Sequence, residues 1–177
     1  MDEATKNEVN HDEVVWRPSE TYLKRSRLRR FMADVGVDDI ETLRGHAAKD
    51  PGWYWDAVAR DLGLVWSRPY DSVLDVSAGA PWPEWFPGAG FNYVASALDS
   101  REKGEQGAEP ALLWEGDDGA QAALTYPELV VEVNKAANAL RTLGIGPGDR
   151  VGIFLPMLLE TAIATLACGK IGALFVP

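Results

Sequence analysis

The stretch RVGIFLPMLLETAIATLACGKIGALFVP, residues 150–177, decides the fold of this chain. Residues 151–155 form a short apolar run of the kind that a parallel sheet buries on both faces, and Pro156 ends that run. Residues 157–170 are rich in Leu, Ala and Glu, so they favour a helix. A second apolar run follows at 173–176. The order of strand, helix and strand predicts a βαβ unit with parallel strands.

A long helix is predicted directly upstream of this unit. Thr125 and Glu128 have the spacing of a capping box, in which each side chain bonds the backbone N–H of the other residue. Apolar residues then recur every three or four positions and define one buried face: Leu129, Val133, Ala136, Leu140 and Leu143. Gly144 ends the helix, and residues 145–149 turn the chain into the strand.

The first hundred residues predict helices and irregular connections. Residues 1–15 are polar and without periodicity, and we expect them to be mobile. Capping residues predict three helix starts: Ser19, for a helix running toward Val35; Asp38 with Glu41; and Asp50, with Pro51 at the first helical position. Residues 67–91 alternate proline, glycine and aromatics, so we expect irregular but packed connections there. A β-hairpin is predicted around Asp117-Asp118-Gly119, with strands at 111–115 and 122–126.

Composition limits the classes of partner. The chain has 177 residues, 46% of them apolar, and a net charge of −10, which suits one packed domain and disfavours a nucleic-acid partner. The basic cluster at 24–30 is therefore interpreted as a solvated helix face. Five of the seven tryptophans fall within residues 53–85 and are interpreted as a compact aromatic core rather than as ligand contacts.

The cysteine content and the hydropathy of the chain indicate the cellular compartment of the protein. Cys168 is the single cysteine, so the sequence encodes neither a disulfide framework nor cysteine spacing for a metal site. It is predicted to be a small buried residue of the helix. The apolar stretch 151–168 is too short and too interrupted to span a membrane. The polar, acidic opening lacks the apolar core of a secretory signal. We therefore expect a cytoplasmic protein with no membrane partner.

No catalytic, cofactor-binding or metal-binding residue is predicted within the chain. The glycines of residues 144–148 leave a helix and enter a strand, whereas a dinucleotide site needs glycines between a strand and a helix. Gly169-Lys170 lacks the upstream glycine and following hydroxyl of a phosphate loop. Asp117-Asp118 is interpreted as hairpin chemistry rather than as a metal pair, and Glu160 as an exposed or hydrogen-bonded helix residue.

Several motifs resemble one family in the expected order. They are LTYPEL at 124–129, VNKAANAL at 133–140, LGIGPGDRV at 143–151, the pattern from Pro156 through Ala173, and, upstream, WFPGAGFNY at 85–93 and LWEGDD at 113–118. Together they resemble the AMP-forming acyl-CoA synthetases, the adenylating superfamily that includes acetyl-CoA synthetase. Residues 16–19 and 27–32 are similar to acetoacetyl-CoA synthetase. The likeness extends over residues 16–177.

The resemblance implies an α/β fold and a two-step ligase reaction. It implies that the chain is the N-terminal portion of an enzyme that uses ATP, Mg²⁺ and coenzyme A to activate a small carboxylic acid through an acyl-adenylate. Residues 16–110 would form an N-terminal segment, and residues 111–177 would begin the adenylation domain. The active-site motifs would lie beyond Pro177, so this portion is expected to be scaffold and inactive alone. The acyl group stays open among acetate, propionate and acetoacetate.

Two other classes of function compete with this interpretation. The chain could be a non-catalytic interaction module descended from such an enzyme, which would show the same motifs. A free-standing nucleotide-binding α/β domain is the weaker alternative, because the required order of strand, glycines and helix is missing.

Overall fold

The computed structural model describes residues 16–102 and 108–177, which include both helices and strands. The chain divides into two compact units, 1–54 and 55–177. The predicted mobile segment 1–15 lies outside the described residues. The mixed α/β class predicted from the sequence is confirmed.

The first unit begins with two short helices, α1 (Glu20–Arg25) and α2 (Arg27–Asp34), where the sequence predicted one. The difference arises at Ser26, whose backbone is extended at φ −66° and ψ 124° and which caps the second helix. Its hydroxyl oxygen accepts a hydrogen bond from the Arg29 N–H at 3.4 Å. Ser19 caps α1 as predicted, accepting from the Tyr22 N–H at 3.3 Å. Serine favours helix caps over helix interiors because its side chain competes for backbone groups.

The next helices are α3 (Ile40–Lys49) and α4 (Pro51–Asp61). Asp39, and not the predicted Asp38, caps α3: its Oδ1 accepts from the Thr42 N–H at 2.9 Å. The Thr42 hydroxyl donates to Asp39 Oδ2 at 2.7 Å, and these bonds lower the pKa of the Asp39 carboxyl. The start of α4 is confirmed, since Asp50 Oδ1 accepts from the Trp53 N–H at 2.9 Å.

Short strand pairs organise the irregular stretch of the second unit. The strand β1 (Trp66–Arg68) pairs antiparallel with β4 (Gly90–Phe91), and β2 (Leu74–Asp75) pairs antiparallel with β3 (Glu84–Trp85). A single π-helical turn, Ala95–Asp99, and the short helix α5 (Ser100–Glu102) follow.

The predicted compact tryptophan core is only partly present. The ring of Trp66 lies 5.3 Å from Tyr70, 5.0 Å from Phe86 and 5.1 Å from Phe91, measured between centroids. In contrast, the side chains of Trp82 and Trp85 are 74% and 41% exposed. Strands of two or three residues bring few rings together, so the aromatics form a surface cluster around Trp66 rather than an interior.

The predicted hairpin is confirmed, with strands β5 (Pro110–Glu115) and β6 (Gln121–Thr125). Gly119 has φ +78°, a conformation that glycine adopts without strain, and its N–H donates to the Gly116 carbonyl at 2.9 Å. Asp118 serves this turn, because its Oδ1 accepts from the Ala120 N–H at 3.0 Å.

The βαβ unit is confirmed, with a helix before it. The elements are α6 (Tyr126–Thr142), β7 (Arg150–Gly152), α7 (Leu159–Ile171) and β8 (Leu174–Val176), and the two strands are parallel. The first strand is shorter than predicted, although the Ile153 N–H continues the ladder by donating to the Val176 carbonyl at 2.8 Å.

The core of the second unit lies where α6, α7 and the π-helical turn meet. Six of its members are at most 2% exposed: Val94, Leu98, Val133, Ala137, Ala167 and Cys168. The predicted face of α6 is correct at Leu129 and Val133, but Leu143, at the end of the helix, is 77% exposed. Val130 and Ala137 are buried on α6 as well.

Candidate functional site

The carboxyl ends of β7 and β8 form the candidate functional site. The strands are parallel and in register, with Val151 opposite Phe175 and Gly152 opposite Val176, so both end at the same edge. Open α/β sheets bind their ligands outside this edge. The loop at 153–158, which joins β7 to α7, lies directly at it.

The loop at 153–158 is held by side chains from two other elements. The indole Nε1–H of Trp114, on β5, donates to the Met157 carbonyl at 2.6 Å. The Thr161 hydroxyl, on α7, donates to the Pro156 carbonyl at 2.6 Å. Gly116 makes room for the indole, because a Cβ there would lie 2.8 Å from the Trp114 ring. Two side-chain hydrogen bonds, from Trp114 and Thr161, therefore position the loop in addition to packing.

The surface of this loop is apolar. The Phe154 side chain is fully exposed, and Met157 is 86% exposed. On the neighbouring strand, Leu174 and Val176 are about half exposed. Such a surface can contact an apolar ligand group or another part of a protein. It offers no nucleophile paired with a base.

The other end of α7 is anchored by the segment at 92–93. The Asn92 Nδ2 donates to the carbonyls of Gly169 and Lys170 at 3.1 and 3.2 Å. The Tyr93 ring lies against Gly169, where an added Cβ would lie 2.6 Å from two of the ring carbons. The pKa of the Tyr93 hydroxyl is raised, first by burial and then by the nearby Cys168. Glycine at 169 is thus required by the aromatic neighbour.

An ion pair adds to this anchor. Lys170 Nζ lies 2.7 Å from Asp99 Oδ1, and the two side chains are only 21% and 36% exposed. Lys170 therefore ties α7 to the π-helical turn.

The burial and hydrogen bonds of three candidate residues, Cys168, Asp149 and Glu160, are as follows. Cys168 is buried at 1% exposure, as predicted, and burial raises the pKa of its thiol. Asp149 Oδ2 accepts from the Gly146 N–H at 2.8 Å and so closes the glycine turn before β7. Glu160 is exposed on α7. Within residues 16–102 and 108–177, no three His, Cys, Asp or Glu side chains converge to hold a metal ion.

Two positioning residues, Trp114 and Asn92, were not predicted from the sequence. Both act through long-range contacts, across 43 and 77 residues of sequence. The one available signal was the glycine two residues after Trp114, which leaves space beside a large ring. No spacing rule could have paired Asn92 with the end of α7.

Two family models match the chain in succession. The N-terminus of acetyl-coenzyme A synthetase matches residues 40–97, and the AMP-binding enzyme model matches residues 100–177. Acetyl-coenzyme A synthetase of Deinococcus radiodurans is 38% identical over 163 residues, which are 92% of this chain and 23% of that protein. By the family-model match, residues 100–177 belong with the AMP-binding enzymes.

Further relatives place the chain at the N-terminal part of such enzymes. Acetyl-coenzyme A synthetase of Methanothrix soehngenii is 34% identical over 176 residues, 97% of this chain and 26% of that protein. The solved acetoacetyl-CoA synthetase from Streptomyces lividans superposes with a TM-score of 0.83 and 30% identity, covering 91% of this chain and 26% of that one. The chain thus spans about a quarter of the length of the relatives it matches.

In the part of the chain that the structure describes, none of the helices combines the length and the apolar character needed to cross a membrane.

Proposed function

We propose that this chain supplies the scaffold portion of a cytoplasmic, ATP-dependent short-chain carboxylate–CoA ligase that forms AMP. The observation that carries the proposal is the parallel βαβ unit within a fold that superposes on acetoacetyl-CoA synthetase over 91% of the chain. The succession of the two family models supports the same order of parts, with residues 111–177 beginning the adenylation domain. A single buried cysteine suits a reducing compartment.

In the proposed reaction, a carboxylate oxygen attacks the α-phosphorus of ATP. The bond between the α-phosphorus and its bridging oxygen breaks, so acyl-adenylate and pyrophosphate form. The thiolate of coenzyme A then attacks the acyl carbon, and AMP leaves with the electron pair of the broken C–O bond. Both steps depend on electrostatic stabilisation of phosphate charge. Since the described residues offer no converging metal ligands, we assign no magnesium-dependent step to them.

The part of this chain in that scheme is positional. The donors from Trp114 and Thr161 fix the loop at the carboxyl edge of the sheet, and Asn92 fixes the far end of α7. The two ends of the βαβ helix are therefore held independently. We propose that the remaining parts of the adenylation site are assembled against this edge.

Two measurements test the proposal. Pyrophosphate release from Mg·ATP, with acetate or acetoacetate as the acid, is expected to stay at background with the 177-residue chain alone. Turnover that follows the concentration of this polypeptide would overturn the scaffold role. The genomic reading frame after the codon for Pro177 is expected to continue into a Thr-, Ser- and Gly-rich loop that carries a lysine. A stop codon followed by unrelated sequence would instead support an interaction module.

A further inference from the structure

The two edges of the strand pair β7–β8 are held in different ways. At the amino edge, the turn at 144–149 is closed by local backbone bonds, such as that from the Asp149 N–H to the Gly146 carbonyl at 3.2 Å. At the carboxyl edge, the loop at 153–158 receives the indole N–H of Trp114, which lies 43 residues before its partner. A donor from another element thus serves the edge at which open α/β sheets bind their ligands.

Packing alone does not fix this loop, because its side chains lie at the surface. All five residues from 154 to 158 are exposed, among them Phe154 completely and Met157 at 86%. A side chain that buries little apolar area contributes little to holding its own backbone in place. The position of the loop therefore depends on hydrogen bonds to its backbone.

Three hydrogen bonds set the shape of the loop. The Pro156 carbonyl accepts from the Thr161 hydroxyl at 2.6 Å and from the Leu158 N–H at 2.8 Å. The next carbonyl, that of Met157, accepts from the Trp114 indole at 2.6 Å. Because a peptide group is planar, a bond that fixes its carbonyl oxygen also orients the rest of the group. Two consecutive peptide groups are therefore held, one from α7 and the other from β5, and they fix the backbone on both sides of Met157.

The hairpin places the Trp114 ring for this contact. The ring is half-buried, and Gly116 leaves the space beside it, since an added Cβ would lie 2.8 Å from a ring carbon. The Gly116 N–H also closes the hairpin by donating to the Ala120 carbonyl at 2.8 Å. An indole N–H can only donate, so its natural partner is an acceptor such as the Met157 carbonyl.

We propose that Trp114 is a positioning residue of the ligase and acts on a substrate through the loop at 153–158. This inference rests on the proposed function. The exposed side chains of Phe154 and Met157 are the groups that would contact the apolar part of a substrate at the carboxyl edge of the sheet. Trp114 bonds a backbone carbonyl, so it places these groups and takes no part in the chemistry. A small displacement of a substrate-positioning group lowers the rate strongly.

The test uses the complete enzyme, expressed from the full reading frame. Trp114→Phe keeps an aromatic ring but removes the donor, and Thr161→Val removes the second donor at nearly constant size. Each variant is expected to lower kcat/KM for acid-dependent pyrophosphate release at least ~10-fold, at a temperature where circular dichroism shows that it is folded. Because both bonds hold the same loop, the double variant should lose less than the product of the two effects. Hydrogen exchange of the amides at 154–158, followed by mass spectrometry, should become faster in both variants.

The matched controls are Trp82→Phe and Thr142→Val. Trp82 is 74% exposed, and the Thr142 hydroxyl donates to the Asn138 carbonyl at 2.9 Å within α6. These two variants repeat the same chemical changes away from the loop. Each is expected to change kcat/KM less than about twofold, as is usual for surface substitutions.

The possible outcomes separate this inference from the proposed function. If the unaltered enzyme is active and Trp114→Phe has the same kcat/KM, the inference is wrong and the proposed function stands. If the unaltered complete enzyme releases no acid-dependent pyrophosphate, the proposed function is wrong and the inference fails with it. A loss of activity without faster exchange of the loop amides would also overturn the inference, because Trp114 would then act by another route.

Discussion

Two regions of the second unit are stabilised in different ways. Residues 126–176 pack two helices and a parallel strand pair around side chains that are almost completely buried, such as Val133, Ala167 and Cys168. Residues 66–91 contain no buried residue at all, and their rings meet at or near the surface. The first region gains most of its stability from apolar burial, and the second from ring contacts and short strand pairs.

This difference in burial has a consequence for side-chain truncations in the two regions. A core residue that loses its side chain leaves a cavity that its neighbours cannot fill. A half-exposed ring that is removed leaves a space open to water. Truncating a side chain should therefore lower the free energy of unfolding more in the first region than in the second.

The largest effect is expected for Leu98→Ala, in the core between the π-helical turn and α6. Leu98 is 2% exposed, so the variant should lower the free energy of unfolding by about 2–5 kcal/mol. Chemical denaturation followed by fluorescence measures the change. Leu113→Ala, at a leucine that is 76% exposed, is the matched control and should have little effect. Equal losses at both leucines would show that the proposed core is not the stabilising element.

A somewhat smaller effect is expected for Gly169→Ala, which tests the contact between α7 and the segment at 92–93. The added Cβ would lie 2.6 Å from two carbons of the Tyr93 ring, and such overpacking costs about 1–3 kcal/mol. Gly152→Ala meets no atom within 4 Å and serves as control. In the double variant with Tyr93→Ala, the cost of the extra methyl group should largely disappear. An unchanged cost in that background would place the strain elsewhere.

Trp85→Ala tests the aromatic region. The indole is 41% exposed and lies 6.2 Å from the Trp55 ring, measured between centroids. We expect a loss of about 1–2 kcal/mol, below the roughly 3–5 kcal/mol typical of a fully buried aromatic residue, because water already reaches the ring. Thermal denaturation compares Trp85→Ala with Trp66→Ala, which should lower the stability of the protein more. A loss at Trp85 as large as at Leu98 would erase the distinction between the two regions.

The smallest effect concerns the pH dependence of the capping box at the start of α6. The Thr125 N–H and hydroxyl both donate to Glu128 Oε2 at 2.8 Å, and they lower the pKa of Glu128 from its ordinary value of 4.5. A lowered folded-state pKa means that the ionised form is stabilised by folding. This contribution is present above pH 4.5 and is lost as the pH falls through the folded-state pKa.

Glu128→Gln should therefore make α6 less sensitive to acid than the unaltered chain as the pH falls below 4.5, as followed by circular dichroism during denaturation. Glu160→Gln, in the first turn of α7, is the matched control. An identical acid response of Glu128→Gln and the unaltered chain would mean that the box does not couple protonation to folding.

Much of the α/β layer could be predicted because its signals are local. The capping box, the hairpin turn at 117–119 and the order of strand, helix and strand each depend on residues that are neighbours in sequence. The break at Ser26 was missed because a serine inside an apolar, basic pattern does not by itself interrupt a helix. It ends α1 here because its side chain caps the following turn.

The positioning contacts of the site could not be predicted for a different reason. Trp114 and Asn92 bond backbone carbonyls, and a carbonyl has no side-chain identity that a sequence pattern could reveal. The predicted compact tryptophan core is only partly present for a similar reason. The number of tryptophans in a segment does not determine which rings contact one another. Trp66 has three aromatic neighbours, whereas Trp82 is mostly exposed.

The bond from Asn92 to the end of α7 has a consequence for the order in which the chain is made. A ribosome adds about 5–20 residues per second, so the Gly169 carbonyl is synthesised roughly 4–15 s after its amide partner, 77 residues earlier. Throughout that interval Val94 and Leu98 lack α7, the helix that completes their core in the finished protein. The nascent chain must carry this uncovered apolar segment until α7 is complete, which makes it a binding target for molecular chaperones during translation.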